Sequence, residues 1–166
     1  MSELWDVYTD TLQKVGKLHR RGDTLAAGEY HLAVQVWITD GKGRYLLARR
    51  AASREVDPLK WECVGGSAIA GENSLAAALR EAREEVGVTL DGAMGRKLFT
   101  KICHDVNTVM DVWLFSYGGE VNPENATTPE EVDGVTWATK DEITALYRQG
   151  EMVRSLIYFF YDIDPV

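Results

Sequence analysis

The chain has 166 residues, of which 45% are hydrophobic and 27% are charged, and this is enough to build one globular domain with a substantial core. It has no apolar run long enough to cross a bilayer, and its N-terminus MSELWDVYTD does not resemble a secretory signal, so we expect a cytoplasmic protein without a membrane partner. The net charge of −8 argues against a nucleic-acid polymer as the partner, because binding many phosphates takes clustered Lys and Arg.

The N-terminal third alternates β-rich runs with turn residues. Residues 4–8 and 14–19 predict two strands joined by a polar turn, and YHLAVQVWIT at 30–39 predicts a longer strand rich in β-branched and aromatic residues. Asp-Gly-Lys-Gly at 40–43 predicts a tight turn, after which residues 44–50 return as the hairpin partner. We therefore expect an N-terminal β-hairpin followed by a second one.

The clearest helix is predicted over Asn73–Val86. Asn73 is a suitable N-cap, and Gly87 is a suitable stop because glycine readily adopts the left-handed conformation that ends helices. Apolar residues recur at spacings of three and four, which places them on one face of the helix: Leu75, Leu79, Ala82 and Val86.

The second half predicts more strands and a short helix. Strands are expected at 97–104 and 108–117 around a polar turn, with a further strand at 132–138 and a helix at 141–148. The aromatic-rich segment 152–161 fits a helix or a strand, and its apolar side chains fit either the core or a homodimer contact. Taken together, the elements predict an α+β fold with helices packed on a mixed sheet.

The two cysteines fall within predicted strands. Cys63 precedes a pair of glycines, and Cys103 lies near the end of a strand. Because buried thiols stay reduced in the cytoplasm, we expect two buried free thiols, although the sequence also permits a disulfide.

Three glutamates share one side of the predicted helix. Glu81 is three residues before Glu84 and four before Glu85, so their side chains are neighbours, opposite the apolar stripe. Such a face is compatible with simple solvation. However, it follows the glycine pair Gly65-Gly66, where backbone can approach a ligand closely. Carboxylates beside a backbone carbonyl are the oxygen ligands that Mg²⁺ prefers.

Residues 66–88 are similar to the Nudix box, G-x5-E-x7-R-E-U-x-E-E-x-G-U, in which U is apolar. The resemblance implies a Nudix α/β/α sandwich with a mixed central sheet, here with the added N-terminal hairpin, as a single domain over 1–166. Ala82 and Val88 fill the apolar positions, and every fixed position is matched: Gly66, Glu72, Arg80, Glu81, Glu84, Glu85 and Gly87.

The resemblance also implies a metal-dependent reaction. Glu81, Glu84 and Glu85, with the carbonyl of Gly66, would bind Mg²⁺ or Mn²⁺. Water would then attack phosphorus in a diphosphate linkage of a small phosphorylated substrate, for example a nucleoside diphosphate linked to another moiety. In such a site the metal stabilises charge and lowers the pKa of water.

Further roles are implied for residues around the metal ligands. Arg80 would act with Glu81 and Glu84 in catalysis by ion-pairing with the glutamates, and Glu72 would orient them from behind. The resemblance implies that Glu81 is either a further metal ligand or the general base; a carboxylate of a later loop is the other option for the base, for which Glu130 and Glu131 are the candidates. The alternative for these two is a solubilising loop.

Substrate contacts are predicted outside the box. Arg50 and Arg54 flank the loop that leads toward it, and two arginines near a diphosphate can form forked hydrogen bonds with phosphate, although isolated arginines are commonly surface residues. Trp37, Trp113 and Tyr117 fit stacking on a base or packing in the core.

The segments ELWDVY, GKLHRRG, GEYHLAVQVWI and LLARR resemble Nudix proteins related to isopentenyl diphosphate isomerase. Isomerases carry a cysteine directly before the first box glycine and a metal-binding histidine directly after it, whereas this chain has Gly65 and Ser67 there. His31 matches another metal histidine of the isomerases. The resemblance therefore favours a hydrolase, with an isomerase-like enzyme and a non-catalytic nucleotide sensor as alternatives.

Overall fold

One long central strand organises the sheet. In the computed structural model, which describes residues 3–164, β3 pairs in parallel with β8 along one edge, and in antiparallel with β1, β6 and β4 in turn along the other. The sheet is therefore mixed, as predicted. Its strands within the described residues are β1 (Leu4–Tyr8), β2 (Lys14–Arg20), β3 (Tyr30–Thr39), β4 (Arg44–Arg50), β5 (Trp61–Glu62), β6 (Val64–Ser67), β7 (Gly95–Cys103), β8 (Thr108–Ser116) and β9 (Val132–Thr139).

The N-terminal hairpin forms as predicted and is tied to the loop that precedes the first helix. β1 and β2 pair in antiparallel. The Ala70 N–H donates to the Leu4 carbonyl at 2.7 Å, and the Gly71 N–H donates to the Asp6 carboxylate at 2.8 Å. These contacts fix the hairpin beside the segment that carries the predicted chemistry.

The second predicted hairpin is wrong in its pairing. The turn at 40–43 does connect β3 and β4, but only Thr39 and Tyr45 are paired across it. β4 instead pairs with β9 over most of its length and with β5 near its end. The two strands separate because β6 takes the place beside the middle of β3, from Ala33 to Val36.

Helix α1 (Ser74–Val86) matches the prediction at both ends. The Asn73 side chain accepts a hydrogen bond from the Ala76 N–H at 2.9 Å, and Gly87 ends the helix with a φ of 69°. A side chain at 87 would also collide with the Asn122 carbonyl, so only glycine fits there. Small residues on the buried face let the helix lie close to the sheet: Ala77, Ala78 and Ala82.

Two apolar cores lie on opposite faces of the sheet. The first lies between α1 and side chains such as Val34 and Val36. The second lies beneath α2 (Lys140–Arg148), which begins at a capping box formed by Thr139 and Glu142. Helices on both faces of a mixed sheet form the expected α/β/α sandwich. None of the helices within residues 3–164 is both long enough and apolar enough to span a membrane.

The C-terminal segment is helical, which is one of the two alternatives that the sequence allowed, but it is not a regular α-helix. It forms a 3₁₀-helix over Arg154–Tyr158 and a π-helical turn over Phe159–Ile163. Tyr158 and Phe159 are buried in the second core, while Tyr161 is 69% exposed. Alternation of buried and exposed aromatics within a few residues explains why no single periodicity was evident.

Both cysteines are free, as predicted, but only one is buried. Cys63 is enclosed in the second core, whereas Cys103 is partly exposed at the end of β7. The expectation of two buried thiols is therefore wrong for Cys103, which precedes a 3₁₀ turn at His104–Val106.

Candidate active site

Two adjacent glycines allow a close approach of three chain segments. β6 lies against β3, and a Cβ on Gly65 would collide with the Val34 carbonyl oxygen. A Cβ on Gly66 would occupy the space of the Glu81 carboxylate. The first glycine therefore lets β6 pack against the sheet, and the second lets an acidic side chain of α1 rest on the β6 backbone.

Arg80 is the hub of the glutamate face. Its guanidinium donates to the Glu72 carboxylate at 2.8 and 3.0 Å, to Glu81 at 2.7 Å and to Glu84 at 2.8 Å. It also donates to the Ser67 carbonyl at 2.9 Å. Glu72 in turn accepts from the Ile69 N–H at 3.0 Å, which anchors this network to the loop before α1.

Burial and neighbouring charges shift the pKa values of ionisable side chains at this face. Burial by itself lowers the pKa of Arg80, but its hydrogen bonds to Glu72 and its contacts with Glu81 and Glu84 outweigh burial and raise the pKa. Burial raises the pKa of Glu81, against the opposing effect of Arg80. Burial, followed by the negative charge of Glu81, raises the pKa of Glu85 well above its ordinary value. The site concentrates negative charge that one guanidinium only partly balances.

The glutamates are adjacent but are not gathered into a cage. Glu81 and Glu84 both bind the Nη1 atom of Arg80, whereas Glu85 accepts from the Gly65 N–H at 3.1 Å. In the described part of the chain, no three His, Cys, Asp or Glu side chains are arranged closely enough to hold a metal ion. The donors nevertheless fit a hard cation, because all are carboxylates and the Glu81 carboxylate lies against the Gly66 backbone, which adds a carbonyl oxygen.

A cavity of about 280 Å³ opens next to this face. Glu81, Glu84 and Arg80 line one side, and the predicted phosphate-binding residues Arg50 and Arg54 line another. The structure therefore brings the predicted glutamates and the predicted arginines to one cavity, although the two groups are about thirty residues apart in the chain.

The two loop glutamates proposed as alternative bases differ in position. Glu131 lines the cavity and pairs with Arg54 at 3.2 Å. Its charge also contributes to the raised pKa of Glu81 and Glu85. Glu130 is exposed and is not among the residues that line the cavity.

Several cavity residues were not predicted. Glu62 pairs with Arg50 at 2.7 Å, and burial raises its pKa. Arg21, at the end of the N-terminal hairpin, pairs with Glu3 at 2.8 Å, and both line the cavity. Gln35 lines it from the centre of β3. Of these residues, only Glu62 could have been found from the sequence, because it is a carboxylate just before the glycine pair. The others reach the cavity because strands that are distant in the chain pair with one another.

The aromatic candidates for base stacking lie elsewhere. Trp37 is fully buried in the second core, and Trp113 packs against the first core while donating to the Ser74 hydroxyl at 2.8 Å. Tyr117 donates to the Glu120 carbonyl. None of the three lines the cavity. Packing in the core, and not stacking on a base, is therefore the alternative that the structure supports for these aromatics.

His31 lies at the cavity on the hairpin side. Its ring stacks on Trp5 at 4.1 Å, and burial lowers its pKa from 6.5 to about 4. Its Nδ1 atom is buried and has no hydrogen-bond partner within residues 3–164. The ring is therefore neutral at neutral pH.

Comparison with known proteins agrees with this architecture. Residues 29–157 match the family model of the NUDIX domain. An uncharacterized Nudix hydrolase of Listeria innocua is 36% identical over 159 residues, covering 95% of this chain and 90% of the relative. An isopentenyl-diphosphate Delta-isomerase of Escherichia coli is 36% identical over only 85 residues, or 51% of this chain and 43% of that enzyme. The fold and the box define a Nudix domain.

Solved structures show the same fold. A Deinococcus radiodurans protein superposes with a TM-score of 0.71 at 23% identity, covering 91% of this chain and 92% of its own. A bifunctional NMN adenylyltransferase/ADP ribose pyrophosphatase of Francisella tularensis, complexed with AMP and a manganese ion, has a TM-score of 0.59 at 17% identity over 79% of this chain and 41% of its own. The chain belongs to the Nudix family and is a hydrolase.

Proposed function

We propose that this hydrolase cleaves a diphosphate linkage in a small phosphorylated molecule, with Mg²⁺ or Mn²⁺ as cofactor and residues 1–166 as one catalytic domain. The observation that carries the proposal is the meeting of Glu81 and Glu84 with Arg50 and Arg54 around one cavity. Carboxylates are suited to a divalent cation, and arginines to phosphate oxygens. A nucleoside diphosphate linked to another moiety is the first class to test, because the Francisella neighbour is named an ADP ribose pyrophosphatase and is complexed with AMP.

Glu81, Glu84, Glu85 and the Gly66 carbonyl would hold the cation. When bound, the cation stabilises charge on the diphosphate and lowers the pKa of water. Glu81 and Glu84 contact Arg80 here, so cation binding would draw their carboxylates away from that guanidinium. Arg80 would then remain anchored by Glu72, which binds it through two hydrogen bonds.

The attacking water needs a carboxylate to accept its proton. Glu81 is one candidate, because burial raises its pKa and it lines the cavity. Glu131 is the other, because it faces the same cavity from the loop before β9. Arg50 and Arg54 would bind phosphate oxygens and hold the diphosphate in line for attack.

Isomerisation is disfavoured by the groups beside the first box glycine. Gly65 and Ser67 carry neither a thiol nor an imidazole. Cys63, two residues before Gly65, is 2% exposed, and burial raises its pKa well above the ordinary value. These observations support the proposal that the chain belongs to a subgroup that resembles the isomerases without their catalytic cysteine. A nucleotide sensor is disfavoured because every box glutamate is present.

The test is to measure whether the protein hydrolyses any member of a panel of diphosphate compounds in the presence of Mg²⁺ or Mn²⁺. Wild-type protein should release a monophosphate or phosphate from at least one compound, and chelation should abolish this. Glu84→Gln should reduce kcat by about a hundredfold or more, since it removes an anionic ligand, while the exposed Glu124→Gln serves as the matched control. Tight nucleotide binding without any turnover would favour the sensor, and conversion of isopentenyl diphosphate would favour the isomerase.

A further inference from the structure

A buried hydrogen-bond chain runs from the second core to the cavity. The Trp37 indole N–H donates to the Tyr158 hydroxyl at 3.0 Å, and this hydroxyl donates to the Gln35 side-chain Oε1 at 2.7 Å. An indole nitrogen only donates, so the Tyr158 oxygen accepts from it and directs its single hydrogen onward. The distance of 2.7 Å is typical of O–H···O bonds.

This chain sets the orientation of the Gln35 amide. The two ends of a glutamine amide differ, because Oε1 accepts and Nε2 donates. With Oε1 held by Tyr158, Nε2 has to point away from the second core. Within residues 3–164, Nε2 is neither hydrogen-bonded nor among the buried polar atoms that lack a partner. It is therefore accessible, and Gln35 is one of the residues that line the cavity.

Strand pairing explains why this amide stays open. Gln35 lies directly opposite Gly65 in the β3–β6 pair. Directly opposed residues on neighbouring strands present side chains to the same face, so glycine at 65 adds no side chain beside Gln35. Because Val34 and Val36 face α1, the Gln35 side chain leaves β3 on the other face of the sheet, and it lines the cavity from that side.

We propose that Gln35 is a substrate-binding residue whose Nε2 donates to an anionic phosphate oxygen of the substrate bound in this cavity, and that Tyr158 is a positioning residue that acts through it. The inference rests on the proposed function and extends it. An uncharged amide suits this place, because it binds phosphate oxygen without forming an ion pair with the glutamates that the cation requires. The donor would select substrates that present an oxygen acceptor at this phosphate.

The first experiment measures steady-state kinetics of Gln35 variants on the compound that wild-type protein hydrolyses best. Gln35→Ala should raise KM by about 10- to 100-fold, as expected for loss of one hydrogen bond to a charged acceptor, with a smaller change in kcat. Gln35→Glu keeps the acceptor for Tyr158 but replaces the donor with a negative charge, so it should be at least as impaired. Gln149→Ala, at an exposed position after α2, is the matched control.

The second experiment combines Gln35→Ala with Tyr158→Phe, which removes one hydroxyl from a ring that stays packed. Tyr158→Phe alone should raise KM by a smaller factor, about 3- to 10-fold, and should add nothing in the double variant, because its effect passes through Gln35. Melting curves check that each variant is folded, and the Gln35 variants test the donor independently of Tyr158.

The outcomes separate this inference from the function on which it rests. Hydrolysis by wild type with an unchanged KM in Gln35→Ala overturns the role of Gln35 and leaves the proposed function standing. Multiplying effects in the double variant overturn the positioning role of Tyr158. If wild-type protein hydrolyses no compound of the panel, the proposed function fails, and this inference fails with it.

Discussion

Replacement of Arg80 by alanine should strongly destabilise the metal-free protein. The side chain makes five hydrogen bonds, to Glu72, Glu81, Glu84 and the Ser67 carbonyl, and it is only 16% exposed. Removing one partner of a buried ion pair costs about 3–5 kcal/mol. Because the carboxylates keep partial access to solvent, we expect a loss of about 3 kcal/mol, at the lower end of that range.

Magnesium should restore much of this loss. In the wild type a cation competes with Arg80 for Glu81 and Glu84, whereas in the variant those carboxylates are free to bind it. Magnesium at about one hundred times its dissociation constant adds about 2.7 kcal/mol of stability, and we expect a larger gain in the variant than in the wild type.

The assay is urea unfolding followed by tryptophan fluorescence, with chelator and with saturating magnesium. Arg83→Ala, on the exposed side of the same helix, is the control and should cost less than about 1 kcal/mol. A loss below about 1 kcal/mol for Arg80→Ala in chelator, or equal stabilisation of both proteins by magnesium, would refute the view that Arg80 neutralises the site in place of a cation.

Three further predictions use other parts of the cavity. His31 has a pKa of about 4 when folded against 6.5 for an ordinary histidine, so the unfolded chain binds a proton first. Stability should therefore fall by about 3 kcal/mol as pH drops through this window, and by less in His31→Phe, as pH-dependent urea unfolding would measure. If the base is Glu131, Glu131→Gln should reduce kcat by about a hundredfold or more and shift the acidic limb of the pH–rate profile, while Glu130→Gln should leave both unchanged. Arg54→Ala should raise KM about tenfold through loss of a charged hydrogen bond, and Arg49→Ala, which lies outside the cavity, should not.

Short-range features of the structure could be predicted from the sequence because they depend on the spacing of nearby residues. The ends of α1 follow from Asn73 and Gly87, whose side chain and backbone freedom satisfy the helix termini directly. The adjacency of Glu81 to Glu84 and Glu85 follows from the pitch of the helix. The β3 strand was evident from its β-branched and aromatic residues, and its end from the turn that follows.

Long-range pairing was not readable, and it accounts for the errors. The turn at 40–43 is a true turn, yet β4 pairs with β9, because β6 fills the place beside β3. Nothing in a local pattern records which distant strand competes for an edge. The C-terminal turns were ambiguous for a related reason, since Tyr158 and Phe159 are buried by contacts with the second core rather than by a regular period.

The sequence by itself determined the glutamate face, the helix that bears it and the family to which the chain belongs, because these are encoded within residues 66–88. Only the tertiary structure decided what faces those glutamates. Strand order brings Gln35, Glu62 and Arg21 to the same cavity, and it ties the amide of Gln35 to Tyr158 across more than one hundred residues of chain. Helical pitch is a property of neighbours in sequence, whereas the cavity is a property of strands that meet only when the whole sheet has formed.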